Sequence, residues 1–441
     1  MTHRLRRGTA SLLALGLPAI LPAQTFFRLP TTGCPMAHCD PRMSDNVNAT
    51  IPVAAGSRIV YQDPGPVGSG AGLGCSSNGS VVACAYRDAV VAYDAAGARR
   101  FDSGALFGEW ARTSAPIVGE DGSVIAADNQ RLVRFSPGGA VVWQSPMPGG
   151  LPISPVPTAN RALVLATYGG PVSAFSLDNG RLLGTLHVRS EDGTRTYETL
   201  NTPAVRGNRA YVSMSARDDP ANHALLVAID VDPRNAESPL SVAWQFPFAG
   251  PSGASPLVLS ASSLVVFDAD RLNPGEGIAP QLAAVRDDGG SPTLVWRRAL
   301  RSPVRASAAR DPRGGIWFFS TGAPYLHRLV WTSGQGWQRI DLDALIGEEG
   351  LHVPSSALTI GAKTDAHATV MLVGAVAVDP PGASYVAAID LEAQALLWKV
   401  RIAGGRAEDY VASQFAVVNA SGGPRVAFPT SSRGLMLVGE P

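Results

Sequence analysis

A repeated unit, spaced by roughly 40 to 60 residues, limits this chain more than any other feature. Each unit carries an apolar strand-like run, a glycine-containing turn and a second run that closes on a fixed position, usually aromatic. Val90-Val91-Ala92-Tyr93-Asp94 leads through Gly97 to Phe101, and the run from Leu132 to Ser136 leads through Gly138-Gly139 to Trp143. The run from Val172 to Ser176 leads through Gly180 to Gly184, and the run from Leu226 to Asp230 leads to Trp244. Leu282 to Val285 leads through Gly289-Gly290 to Trp296, and Leu329-Val330-Trp331 leads through Gly334 and Gly336 to Ile340. The last unit runs from Val386 to Asp390 and then to Trp398. Heads such as Ala115-Pro116, Ser154-Pro155, Thr202-Pro203 and Ser255-Pro256 open a β-branched run, with Ser307-Ala308, Ser356-Ala357 and Ser413-Gln414 as weaker versions. Asn78-Gly79 and Asp121-Gly122 supply hairpin turns between the head and the repeated run. Four strands per unit at this period make a β-propeller blade.

The two ends of the chain predict how the ring closes. After Trp398 come three strand-like runs, Phe415 to Val418, Val426 to Phe428 and Gly434 to Val438, one strand short of a blade. Near the start, Arg58-Ile59-Val60-Tyr61-Gln62-Asp63-Pro64 has no blade of its own and matches Ala140-Val141-Val142-Trp143-Gln144-Ser145-Pro146. An open ring leaves sheet edges exposed, and pairing this segment with the C-terminal runs removes them. The expectation is an all-β, eight-bladed propeller whose last blade is completed by an N-terminal strand with Tyr61 in the Trp position. Trp143, Trp244, Trp296 and Trp398 are expected to pack between blades, because one slot repeated in every unit is a packing slot. Their indole N–H groups should find neighbouring backbone carbonyls, and the interface at Gly184 should be looser.

The pattern Ala-x-Asp…Gly-x-x-x-Trp, seen from Ala92 to Phe101 and from Ala388 to Trp398, resembles the tryptophan-docking repeat of quinoprotein-type (PQQ-like) propellers. The resemblance covers residues 57–441 and implies an eight-bladed ring. That superfamily holds both quinone-dependent dehydrogenases and non-catalytic periplasmic scaffolds of the outer-membrane assembly type. Catalytic members commonly hold their quinone with an adjacent Cys-Cys pair, Ca²⁺ and a catalytic Asp. No two cysteines are adjacent here, and no catalytic residue carries over. The His-Glu-x-x-His, Gly-x-Ser-x-Gly and P-loop patterns are also missing. A shared fold does not bring its chemistry with it. No catalytic residue and no cofactor is therefore predicted, PQQ with Ca²⁺ being the alternative.

Residues 1–23 read as a signal peptide: Arg4, Arg6 and Arg7, an apolar stretch from Ala10 to Leu21, then Ala23. The chain is then periplasmic or secreted, with no transmembrane segment after the signal. Lys+Arg and Asp+Glu both number 36, so nothing steers it to nucleic acid. Monomeric behaviour is expected.

An oxidising compartment makes disulfides of Cys34, Cys39, Cys75 and Cys84. Three pairings can be drawn, and 34–39 with 75–84 is favoured because both spacings suit a local bridge. A turn centred on Gly79-Ser80, glycine first, would put Cys75 directly opposite Cys84. Residues 24–56 are read as a Cys-containing extension outside the blades. Met36, His38 and Met43 there make a weak soft-metal set beside the more ordinary reading of a disulfide loop packed on the propeller. Asp218-Asp219 and Asp287-Asp288 read as solvated turn carboxylates.

Loops from the outer strand of one blade to the inner strand of the next line one mouth of a propeller. Here they carry Trp110, Arg112, Tyr197, Glu198, Arg305, His352, Asp409 and Tyr410, the candidates for ligand contact. The leading functional reading is an exported, non-catalytic propeller that offers this face to a protein, peptide or glycan. A quinone oxidoreductase and a metal-binding protein are the alternatives.

Overall fold

The computed structural model describes residues 26–63, 74–108, 110–190, 192–199, 201–216, 219–250, 254–259, 263–273, 275–304, 307–319, 324–353, 358–362, 369–377, 383–402, 410–411, 413–430 and 434–440. The expected export signal lies outside them. The described chain forms eight antiparallel sheets built on four strands each. Blades 1 to 7 span residues 75–102, 117–146, 156–186, 204–249, 257–299, 309–341 and 358–401. Blade 8 joins Ala416–Ala420, Gly423–Pro429 and Leu435–Gly439 to the N-terminal strand Arg58–Gln62. In that last pair Arg58 faces Gly439, Tyr61 faces Leu437 and Gln62 faces Met436, so the ring closes as the sequence requires.

Within each blade the strands run from a, at the axis, to d, at the rim. The middle strands are buried on both faces, as in Val81–Ala85 and Val90–Asp94. Outer strands are largely exposed, and Val141–Pro146 buries Trp143 and Ser145 while its remaining residues face water. Outer strands carry a bulge beside the docking aromatic, between Val141 and Trp143 in blade 2 and between Ile59 and Tyr61 in blade 8. The bulge turns the ring onto the next blade.

Docking explains the glycine of the motif. The aromatic of one blade lies flat on the turn glycine of the next: Tyr61 on Gly97, Phe101 on Gly139, Trp143 on Gly180 and Trp296 on Gly334. A Cβ on those glycines would sit 2.6, 2.5, 2.5 and 2.6 Å from the docked residue, so no larger side chain fits. The indole N–H groups vary more than expected. Those of Trp296 and Trp398 donate to the carbonyls of Trp331 and Pro52, Trp244 donates to the Asp287 carboxylate, and Trp143 has no partner. At Gly184 the Pro239 ring of blade 4 moves into the place of the missing aromatic, 2.6 Å from where a Cβ would be. That gap is filled, contrary to the looser interface expected.

Blade 6 also departs from the expected register. Its outer strand is Gln335–Asp341, and Gln338 stands opposite Arg328 at the bulge, where Trp296 stands opposite Ala284 in blade 5. The docking residue is therefore Gln338 and not Ile340. Trp337 lies one position away, and the two-residue period of a strand turns it outward, 41% exposed.

Asp287 also departs from its solvated-turn reading. Its carboxylate is fully buried and accepts hydrogen bonds from Tyr211, Trp244, Arg209 and the Gly289 backbone N–H, tying blade 4 to blade 5. Burial acts to raise its pKa, and those hydrogen bonds outweigh it and hold the carboxyl at about 2.

Both disulfides are local: Cys34–Cys39 and Cys75–Cys84. Cys75 faces Cys84 and Ser77 faces Val82, which leaves Gly79-Ser80 as the two-residue turn. Gly79 takes φ +89°, and the Asn78 side chain accepts from the N–H groups of Ser80 and Val81.

Candidate functional site

Two places could carry function: the axial channel and the face where each d strand hands over to the next a strand. The N-terminal extension fills the channel. Backbone carbonyls of Cys34, Pro35, Pro41, Arg42, Ser44 and Asp45 accept from Ser77, Val118, Val205, Val258, Arg310 and Ile360. Those donors sit on or at the innermost strands of blades 1, 2, 4, 5, 6 and 7. Asn46–Thr50 then lies parallel against Leu358–Ala362 of blade 7. The edge of every a strand would otherwise leave N–H groups unpaired along the axis. Turning the chain tightly enough to send its carbonyls outward puts His38, Cys39, Met43 and Asp45 at positive φ, between 47° and 68°.

The weak metal set is used up inside this plug. Met36 and Met43 are fully buried in the core. His38 Nδ1 lies 2.8 Å from Asp45 Oδ2, and its Nε2 lies 3.3 Å from Ser255 Oγ. Burial raises the Asp45 pKa, and the facing His38 works against that rise. Cys34 and Cys39 are joined, so neither offers a thiolate. Among the described residues no group of three or more His, Cys, Asp or Glu side chains is placed to hold a metal ion. These channel residues do not fit a quinone held over calcium, because the axis is filled by the chain's own buried side chains.

Strand polarity puts the d-to-a loops and the b-to-c turns on one face. Trp110 opens a 3-10 turn, Ala111–Thr113, and Arg112 sits over its ring at 5.9 Å. Tyr197 and Glu198 form an added strand, Thr196–Glu198, against Ser215 and Ala216 of blade 4, and Tyr197 is buried in the core. His352 pairs with Val376 on the extension Leu351–His352 of blade 7. Tyr410 is half-buried. Arg305 and Asp409 lie outside the described residues. The contacts shown for Trp110, Arg112, Tyr197 and His352 are local to their own blades.

A cleft of about 600 Å³ opens on the same face between blades 5 and 6. Trp296 clamps the two outer strands at their other end, on Gly334. Past that clamp the strands part, and Arg298 and Arg301 face Tyr325, His327, Trp337 and Arg339 across the gap. Arg298 lies over Trp337 at 5.5 Å, and Arg339 over Tyr325 at 4.2 Å. His327 is packed 4.5 Å from the Trp337 ring centre, with its Nδ1 buried and unpartnered. Burial, then the facing Arg339, pushes this imidazole down to about 4, so it is neutral near pH 7. Sequence reading named none of these lining residues as site candidates. The out-of-register Trp337, in a blade with no docking aromatic, was the signal it missed.

This fold, docking slot and N-terminal closure define a PQQ-like propeller with its axis filled. The family model described as outer membrane protein assembly factor BamB matches residues 46–271, and the chain belongs to that family. No curated protein matches the sequence. Among solved structures, the chain is similar to the computationally designed Ika8 protein, at TM-score 0.55 and 13% identity over 86% of this chain and 98% of that one. It is also similar to the C-terminal WD40 domain of Sif2, at 0.54 and 11% over 90% and 99%. A europium-containing methanol dehydrogenase matches at 0.53 and 10% over 90% and 89%. At these identities the likeness concerns the fold alone.

Proposed function

We propose that this chain is an exported, non-catalytic propeller of the cell envelope that presents its d-to-a face to a protein, peptide or glycan partner. The filled axis carries this reading: residues 34–51 take the space of an axial ligand and leave the loop face as the place for recognition. The family's description as an assembly factor and the two disulfides agree with an envelope role. Among the described residues no helix is long and apolar enough to cross a membrane.

A photo-crosslinking residue at position 110 or 112 should capture one discrete partner from the native envelope. The same residue at position 120, on the opposite face, should not. Equal capture from both faces would overturn the proposal. So would quinone- and Ca²⁺-dependent dye reduction with an alcohol substrate.

A further inference from the structure

We propose that the cleft between blades 5 and 6 binds a six-membered ring carrying an anionic group, with the acid on the guanidinium groups and the ring against the exposed part of Trp337. This rests on the reading of the d-to-a face as the binding face and adds the chemistry of its ligand.

Charge is the first support. The cleft is lined by Arg298, Arg301 and Arg339 and, among the described residues, by no carboxylate. Elsewhere in the two blades Arg297 pairs with Glu276 and Arg328 with Asp311, while Arg286 and Arg310 have no ion pair among the described residues. The side chains of the three lining arginines have neither ion pair nor hydrogen bond among the described residues. Arg298 lies over Trp337 and Arg339 over Tyr325, and their N–H donors have no acceptor among the described residues.

The second support is independent of charge. His327 is 7% exposed, lines the cleft, and holds an unpartnered buried nitrogen. A buried imidazole normally has a partner, and this ring forms part of the cleft wall. Trp337 is the third: a large aromatic turned out of the core, 41% exposed, at the edge of a cationic pocket. Rings with a few placed polar groups are what a ligand pocket presents.

An acidic sugar and an aromatic acid share this chemistry. Calorimetric titration with trigalacturonate, benzoate, maltotriose and inorganic phosphate separates them. One or both acids should bind, and Arg298→Gln with Arg339→Gln should weaken binding by at least about tenfold at an unchanged melting temperature. Trp337→Ala should weaken it similarly. Trigalacturonate alone assigns an acidic sugar, and benzoate alone an aromatic acid. The proposal is overturned if neither acid binds at millimolar concentration, if maltotriose or phosphate binds as tightly, or if the arginine variant keeps full affinity. Partner capture at position 110 without any acid binding would remove only the cleft assignment. Acid binding without partner capture would remove only the wider reading of the face.

Discussion

The axial plug and the cleft between blades 5 and 6 treat polar groups in opposite ways. In the plug, carbonyl after carbonyl meets an inner-strand N–H and both His38 nitrogens face a partner, with Asp45 Oδ1 the one buried side-chain oxygen left without one among the described residues. In the cleft, among the described residues, three guanidinium groups lack an anion and the buried His327 nitrogen lacks a partner. A satisfied polar network specifies a single packed structure. An unsatisfied, cationic one on a rigid frame is suited to a ligand from outside. The contrast teaches that the channel, which draws the eye in a propeller, is filled here by the chain's own extension, and that the proposed cleft lies at the rim of one face.

Removing residues 26–45 while keeping the closing strand Arg58–Gln62 tests the plug most severely. It deletes the buried Phe27, Met36 and Met43 and the carbonyl acceptors of the inner strands. Each buried side chain is worth about 1.5–3 kcal/mol and each hydrogen bond about 1 kcal/mol, so the loss is on the order of 10 kcal/mol. Denaturant unfolding should find little or no native protein. A truncated chain that unfolds at the wild-type midpoint would show that the plug is not structural.

Trp398→Ala should cost about 3–5 kcal/mol, since it leaves a cavity and frees the Pro52 carbonyl that anchors the chain leaving the plug. Trp110→Ala, on the loop face, should change the unfolding free energy by less than about 1 kcal/mol. Equal midpoints for the two variants would erase the division between packing and facing tryptophans.

Asp287 gives a pH test of a satisfied network. Its folded pKa of about 2 lies below the ordinary 3.8, so its contribution is present above pH 3.8 and is lost as pH falls from there toward 2. The contribution is on the order of 1–2 kcal/mol. Asp287→Asn should flatten that part of the stability profile relative to wild type, and an unchanged acid limb would show that the carboxylate is not held as described.

Arg339→Ala should have the smallest effect on folding, within about 0.5 kcal/mol of wild type and of either sign, because it takes one member from an unneutralised cationic cluster. A loss as large as that of Trp398→Ala would move Arg339 from the binding surface into the structural frame and undo the contrast between the two regions.

The blade count, the closing strand and the Cys75–Cys84 register were legible because each is a local, periodic pattern. Tyr61 repeats the setting of Trp143, and Gly79-Ser80 can form a two-residue turn with only one register. The tertiary structure alone decided where residues 34–51 go. Their partners are backbone N–H groups from six blades spread along the chain, and backbone N–H groups carry no sequence signature. It alone decided that Asp287 is buried, since its partners Arg209, Tyr211 and Trp244 come from another blade. The cleft was hidden for the same reason. A single bulge in blade 6 puts Gln338 in the docking slot and turns Trp337 outward, and only the folded ring sets it beside Arg298 of blade 5. Periodicity fixes which side of a strand a residue occupies, while contacts across blades depend on how the ring closes.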